Sequence, residues 1–176
     1  MVCYDVLNSL SIRSSILPIQ TGEIWVAYKW ASRLPQQGLY LFDRGFASFA
    51  HFYLLNHYNK KFVIRLKLGF NNEVKKFVKS PYKSSIVNLK ISVKSRKSLK
   101  KMGFSLDSNT TLQLRLIKVK LGKGKIEVLA TNLEESLFPV ECFKKLYALR
   151  WGVETFFGQL KSQLQVGIFT GRKTRA

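Results

Sequence analysis

Between Gly38 and Leu66 an apolar run, a helical stretch and a second apolar run follow one another, and no other part of the chain restricts the fold as much. Gly38-Leu39-Tyr40-Leu41-Phe42 reads as a buried strand. Phe46 to Tyr58 reads as a helix, and Phe62-Val63-Ile64-Arg65-Leu66 as another strand. Strand, helix, strand in this order predicts two parallel strands joined by a right-handed crossover. Asp43 then sits at the carboxyl end of the first strand, where α/β sheets tend to place functional groups. The alternative for Asp43 is an ordinary acid in a strand-end turn.

Charge divides the chain into three parts. Residues 60–125 hold 19 Lys and Arg against two acids, Glu73 and Asp107, whereas the two ends are nearly balanced. A field of one sign attracts a polyanion, with nucleic acid as the first candidate and a membrane surface as the second. Within this basic block, Ile86–Lys94 and Leu112–Lys120 alternate with a period near two, as strands with Lys and Arg on one face. The turn Gly122-Lys123-Gly124 joins the second of these to Lys125–Thr131 in a hairpin. The stretch 94–101, KSRKSLKK, reads as a mobile basic loop. With 46% hydrophobic residues there is enough for a core. The most apolar run, Phe46 to Tyr58, contains His51, Asn56 and His57 and is too short to span a bilayer. Two cysteines are too few for a disulfide framework, and the first residues lack a signal-peptide pattern. These features predict a soluble, intracellular protein.

The late segment Tyr147–Lys161 carries the other candidate chemistry. Its polar residues are spaced Y-x2-R-x3-E-x6-K. On one continuous helix Tyr147, Arg150, Glu154 and Lys161 fall in a stripe about 60° wide. Leu146, Leu149, Val153, Phe156, Leu160 and Leu164 form an apolar face beside it. A kink is expected near Trp151-Gly152, and Pro139 marks the helix start. A carboxylate flanked by Arg, Lys and Tyr suits metal and phosphate; the same residues also suit a surface helix, with Glu154 paired to Arg150. Asp43 and Glu154 are the two acids that fit two-metal phosphoryl transfer, in which carboxylates hold hard divalent cations. Trp151 is the aromatic expected to approach nucleic acid. His51 and His57 share no helix face and suggest no zinc site. Gly122-Lys123-Gly124-Lys125 is a turn and not a phosphate loop.

The spacing Tyr147, Arg150, Glu154, Lys161, with Leu41-Phe42-Asp43-Arg44-Gly45-Phe46 upstream, resembles the DDE-class transposases of bacterial insertion sequences. The likeness is to the IS-four-like group with the Y-R-E-K signature. YDVLN at 4–8, IEVLATNL at 126–133 and FTGR at 169–172 are similar to that family in the same order. The resemblance implies a ribonuclease-H-like mixed sheet flanked by helices, with a basic β-rich insertion between the second and third catalytic acids. It divides the chain into a partial catalytic core at 1–67, the insertion at 68–132 and a C-terminal helical part at 133–176. It implies cut-and-paste DNA transposition by strand cleavage and strand transfer, with two magnesium ions. Asp43 and Glu154 correspond to the second and third acids and are its metal ligands. Arg150, Lys161, Tyr147 and Trp151 would contact DNA near the cleaved end. DNA is the implied partner, a homodimer the implied assembly and the bacterial cytoplasm, at the nucleoid, the implied place.

One departure stands out. The family's first catalytic Asp precedes the YDVLN-like stretch, which here begins at Tyr4, and Asp5 belongs to the later segment. The expectation is a fragment with an incomplete core, lacking its first strand, that binds DNA without cutting it. The alternatives are a non-catalytic basic module for DNA or RNA and an RNA-associated protein of ribosomal type.

Overall fold

The computed structural model describes residues 1–18, 20–122 and 124–164, without the side chain of Leu164. In chain order the elements are β1 (Val2–Asp5), β2 (Leu10–Ser14), α1 (Glu23–Trp30), β3 (Leu39–Phe42), α2 (Phe49–His57), β4 (Lys61–Leu66), α3 (Asn72–Lys79) and β5 (Ser84–Lys90). They continue with α4 (Val93–Lys100), β6 (Thr111–Lys120), β7 (Ile126–Thr131), α5 (Cys142–Ala148) and α6 (Trp151–Leu164). The chain divides into two compact units, Pro18–Tyr147 and a smaller one made of Met1–Leu17 with the segment from Ala148 onward.

The larger unit is built on one five-stranded mixed sheet in the order β3-β4-β7-β6-β5. β3 and β4 run parallel, and the remaining neighbours are antiparallel. The strand–helix–strand expectation therefore holds, with α2 as the connecting helix. Ser48 starts that helix by accepting a hydrogen bond from the His51 amide at 3.1 Å, the usual service of an N-cap serine. Asn59 ends it at a φ of 54°, a left-handed position that asparagine tolerates better than most residues. β4 lies inside the sheet, and its Phe62, Val63 and Ile64 are all fully buried.

Helices cover both faces. On one, Val63, Ile117, Val119 and Leu129 pack with Phe143 and Tyr147 of α5. On the other, Phe52 of α2 stacks on Phe62 at 5.9 Å between ring centres. α3 is amphipathic: Val74 and Phe77 are buried, while Lys75, Lys76 and Lys79 are exposed. β6 and β7 form the expected hairpin, closed by the Leu121 amide on the Lys125 carbonyl at 2.7 Å, with Gly124 at a φ of 70°. Lys123 of the expected turn and the FTGR segment lie outside the described residues. No described helix is long and apolar enough to cross a membrane.

Three details of the basic block differ from expectation. Residues 94–101 are helical through Lys100 and not a loop. Ser92 caps α4 by accepting from the Ser95 amide at 3.1 Å, and Leu99 is a fully buried anchor. Second, the charges of β6 do not share one outer face. Arg115 is buried and donates to Ser84 Oγ, the Phe138 carbonyl and Glu135 Oε1 at 2.7–3.0 Å. Lys118, on the opposite face, donates to the Val78 and Ser80 carbonyls at the end of α3. Third, Lys60 is buried and donates to the Leu34 carbonyl at 2.7 Å. A buried charge must find partners, so these cations are committed inside the fold.

In the smaller unit β1 and β2 form an antiparallel hairpin. Asp5 closes its turn, accepting from the Leu7 and Asn8 amides at 2.9 and 3.0 Å and from Asn8 Nδ2 at 2.8 Å. The side-chain bond from Asn8, then the backbone ones, lower its pKa. Asp5 thus does the work of a turn acid. Tyr4 stacks on Phe156 of α6 at 4.5 Å. A side chain at Gly152 would meet Val6 Cγ1 at 3.1 Å and Val6 Cβ at 3.3 Å. Gly152→Val is therefore expected to push α6 off the hairpin, at a cost of about 1–3 kcal/mol. Faster amide exchange in β1 and β2 is the readout, and unchanged protection would contradict the close packing.

Candidate active site

Sheet register gathers the first group of functional side chains. Leu41 pairs with Val63 and Phe42 with Ile64 across β3 and β4. Continuing the register by one residue sets Asp43 beside Arg65. Arg65 in turn pairs with Leu129 of β7, and Glu127 lies two residues from Leu129 on the same face. Alternation along three strands thus brings Asp43, Arg65 and Glu127 to the α5 side of the sheet.

The contacts follow. Arg65 Nη2 lies 2.9 Å from Asp43 Oδ1, and Arg65 Nη1 donates to Glu127 Oε1 at 2.7 Å. The side chains of Arg65 and Glu127 are 23% and 20% exposed, that of Asp43 37%. Burial works against the guanidinium charge. The Glu127 hydrogen bond, the Asp43 charge and the Tyr147 phenol more than offset it, and the Arg65 pKa is raised. Asp43 Oδ1 is sealed from water and accepts no aligned hydrogen bond among the described residues. Its contact with Arg65 is an ion pair without good hydrogen-bond geometry. Asp43 also leaves the following turn, Arg44–Phe46, uncapped by its side chain. The carboxylate is therefore not spent on local structure, as an ordinary turn acid would be.

Two buried residues fix the strand tip from behind. The Tyr147 hydroxyl donates to the carbonyl of Phe42, the residue before Asp43, at 3.1 Å. Tyr147 is 5% exposed and belongs to the core under the sheet. His51 Nδ1 lies 2.9 Å from the Phe46 carbonyl, at the end of the turn after Asp43. As a neutral ring it donates from that nitrogen. Its ring also meets Phe42 edge-on at 4.7 Å. Burial, only partly countered by the Phe46 bond, pushes its pKa down to about 4.

The smaller unit carries the second group. The late helical region breaks at Leu149-Arg150, just before the expected kink at Trp151-Gly152, into α5 and α6. The continuous helical count from Tyr147 to Lys161 does not run through that break. Within α6, Glu154 and Lys161 lie seven residues apart and share a face, and both are exposed. Arg150 Nη1 donates to Glu154 Oε1 at 2.8 Å. The Arg150 guanidinium lies over the Trp151 ring at 4.9 Å, and Trp151 is 57% exposed. Val153, Phe156 and Leu160 are partly buried, as the apolar face requires, but Leu149 is 41% exposed beside the break. Asp43 and Tyr147 belong to the larger unit, and Arg150, Trp151, Glu154 and Lys161 to the smaller.

Among the described residues, no group of three or more His, Cys, Asp or Glu is placed to hold a metal ion. Asp43 is by chemistry a hard-oxygen donor, but its buried Oδ1 faces the Arg65 guanidinium at 2.9 Å. Arg65, Glu127 and His51 are the residues that inspection of the sequence missed as parts of this site. Period-two counting along Phe62–Leu66 and Ile126–Thr131 contains the signal, but only once the strands are known to be neighbours.

The chain thus carries a mixed α/β sheet between helices, with a carboxylate at a strand tip and a strongly basic segment at 60–125. The family model described as the transposase DDE domain matches residues 2–176, and the chain belongs to that family. No curated protein matches the chain.

Proposed function

We propose that Asp43 and Glu154 correspond to the second and third metal-binding acids of the DDE transposases, which cut DNA and join it to a target, and that this chain is an inactive member that binds DNA without cutting it. The five-stranded sheet is its ribonuclease-H-like core, and the basic segment 68–132 between the two acids is no separate insertion, because it contributes β5, β6 and β7 to that same sheet. β3 lies at one edge of that sheet, with no strand on its outer side among the described residues. The observation that carries the proposal is Asp43 itself: a strand-tip carboxylate with a sealed oxygen, backed by Tyr147 and His51 and balanced by an arginine. Exposed Lys161 and Trp151 offer a cation and an aromatic ring to a DNA backbone, Arg150, 11% exposed and paired to Glu154, reaches it only by leaving that pair, and Tyr147 acts from behind the strand tip. Magnesium ions, when bound, would supply the charge that activates the attacking oxygen and stabilises the leaving one.

A second reading is favoured by the ion pairs. Asp43 and Glu154 each face an arginine, and the described residues offer no three-ligand metal group. A binding module that grips DNA without cutting it would look the same. Residues 1–176 are therefore expected to bind duplex DNA and leave it intact. With six to ten phosphate contacts, affinity should fall about 10³- to 10⁵-fold between 50 and 200 mM salt. Affinity insensitive to salt would overturn the DNA reading. Magnesium-dependent nicking that vanishes in Glu154→Gln would overturn the inactive-chain reading.

The pairing of the acids has its own test. Fe²⁺ with ascorbate should cleave the backbone near residue 43 and near residue 154, and both Asp43→Asn and Glu154→Gln should abolish both cuts. Cleavage at one position that survives loss of the other acid would separate the two residues and sink the metal assignment.

A further inference from the structure

A groove of about 640 Å³ opens between α1 and α4, lined by Trp25, Val93, Lys94, Lys97, Ser98 and Lys101. None of the site residues above belongs to it. Along α4 and its C-terminal cap Lys101, the residues Lys94, Lys97, Ser98 and Lys101 fall within an arc of about 100°, whereas Arg96 and Lys100 point elsewhere. The lysine row runs about 10 Å along the helix axis. Lys94, Lys97 and Lys101 are all exposed, and none makes an ion pair among the described residues. No acid lines the groove. Trp25 forms part of its wall, half-buried and held edge-on by Tyr28 at 5.8 Å. Val93, 63% exposed, extends the apolar side.

A row of free ammonium groups along one wall and an indole in the same groove is the arrangement that grips unpaired nucleic acid. Phosphates follow the cations, and a base lies against the aromatic face. A fully apolar groove would suit a peptide helix, and a bare lysine row would suit any polyanion. Here the two features occur together without an opposing acid. We infer that this groove binds a single strand of DNA, with successive phosphates over Lys94, Lys97 and Lys101 and one base on Trp25. The inference rests on the DNA reading above and gives it a second contact surface, on the larger unit.

The test uses the whole chain and a fluorescent single-stranded thymidine oligonucleotide, with a duplex of equal length beside it. Lys94→Gln/Lys97→Gln/Lys101→Gln changes exposed positions, and circular dichroism checks that it stays folded. Lys75→Gln/Lys76→Gln/Lys79→Gln, on the exposed side of α3, removes the same charge elsewhere. The α4 variant should weaken single-strand binding at least tenfold at low salt. It should also reduce the slope of log affinity against log salt by about 2, at about 0.7 per phosphate contact. The α3 variant should change both far less. Trp25→Ala should weaken binding by about 5- to 150-fold, from the usual range for loss of one stacked base, and Trp25→Phe should restore part of it. If the wild type binds DNA but the α3 and α4 variants behave alike, the groove assignment fails and the DNA reading survives. If the wild type binds neither oligonucleotide, both fail. If the α4 lysines matter for duplex and not for the single strand, the groove is a duplex phosphate site and the single-strand assignment is overturned.

Discussion

Replacing Arg65 by leucine is expected to lower the unfolding free energy by about 2–4 kcal/mol, among the largest effects of any single change near the site. The reason lies in the two partners left behind. Arg65 holds Asp43 at 2.9 Å and Glu127 at 2.7 Å, and Glu127 is only 20% exposed. Without the guanidinium, the two carboxylates face each other across β4, Glu127 with little access to water and Asp43, 37% exposed, partly screened by it. The leucine itself recovers some packing, which keeps the cost below that of a wholly buried pair. Arg65→Lys should recover only part of the loss, because an ammonium is a point charge and cannot span two acids as a planar fork does. Urea denaturation of the three proteins is the measurement. Equal midpoints for wild type and Arg65→Leu would show that the arginine bridges nothing of consequence. A lysine variant as stable as the wild type would show that charge alone matters.

What could be read from the sequence follows from the range of the forces involved. β3, α2 and β4 were legible because each is an unbroken apolar or amphipathic run, and neighbouring elements in sequence pack together. The β6–β7 hairpin was legible for the same reason. α4 was not. Seven of its eight residues are polar or poorly buried, and its helical state rests on one cap, Ser92, and one anchor, Leu99. Lysine-rich composition hides both. The net charge of the basic block was legible, but its direction was not. Lys60, Arg65, Arg115 and Lys118 turn inward to carbonyls and carboxylates contributed by distant segments. No local pattern distinguishes them from Lys94 or Lys97. At the site, Asp43 stood out by its place at a strand end. Arg65 and Glu127 did not, because their meeting depends on β7 lying next to β4, a pairing between segments about 60 residues apart. Tyr147 was noticed for its spacing to Arg150, yet its described contact is a hydrogen bond to the backbone of Phe42, 105 residues earlier.

Acid should unfold the protein earlier than its carboxylates alone would require, and His51 is the cause. The residue is fully buried, and its pKa falls from 6.5 to about 4. Above pH 6.5 the ring is neutral in both folded and unfolded chains, and no proton-linked cost arises. Between pH 6.5 and 4 the unfolded chain takes up a proton that the folded chain refuses, so stability rises with pH across this window and is lost as pH falls. The full difference amounts to about 3 kcal/mol. A proton forced onto the folded ring would go to Nε2, which is buried and has no partner among the described residues. It would add a charge beside Phe42 and Phe46, the residues that flank Asp43 and its turn. His51→Gln keeps an N–H donor for the Phe46 carbonyl but cannot titrate. The variant should lose about 1 kcal/mol or more at pH 7 through poorer packing and hydrogen-bond geometry, while its stability changes less between pH 6.5 and 4 than that of the wild type. Denaturation midpoints across that range decide the matter. Parallel curves for the two proteins would mean that His51 takes up its proton as readily when folded as when unfolded, and that the turn after Asp43 is open to water.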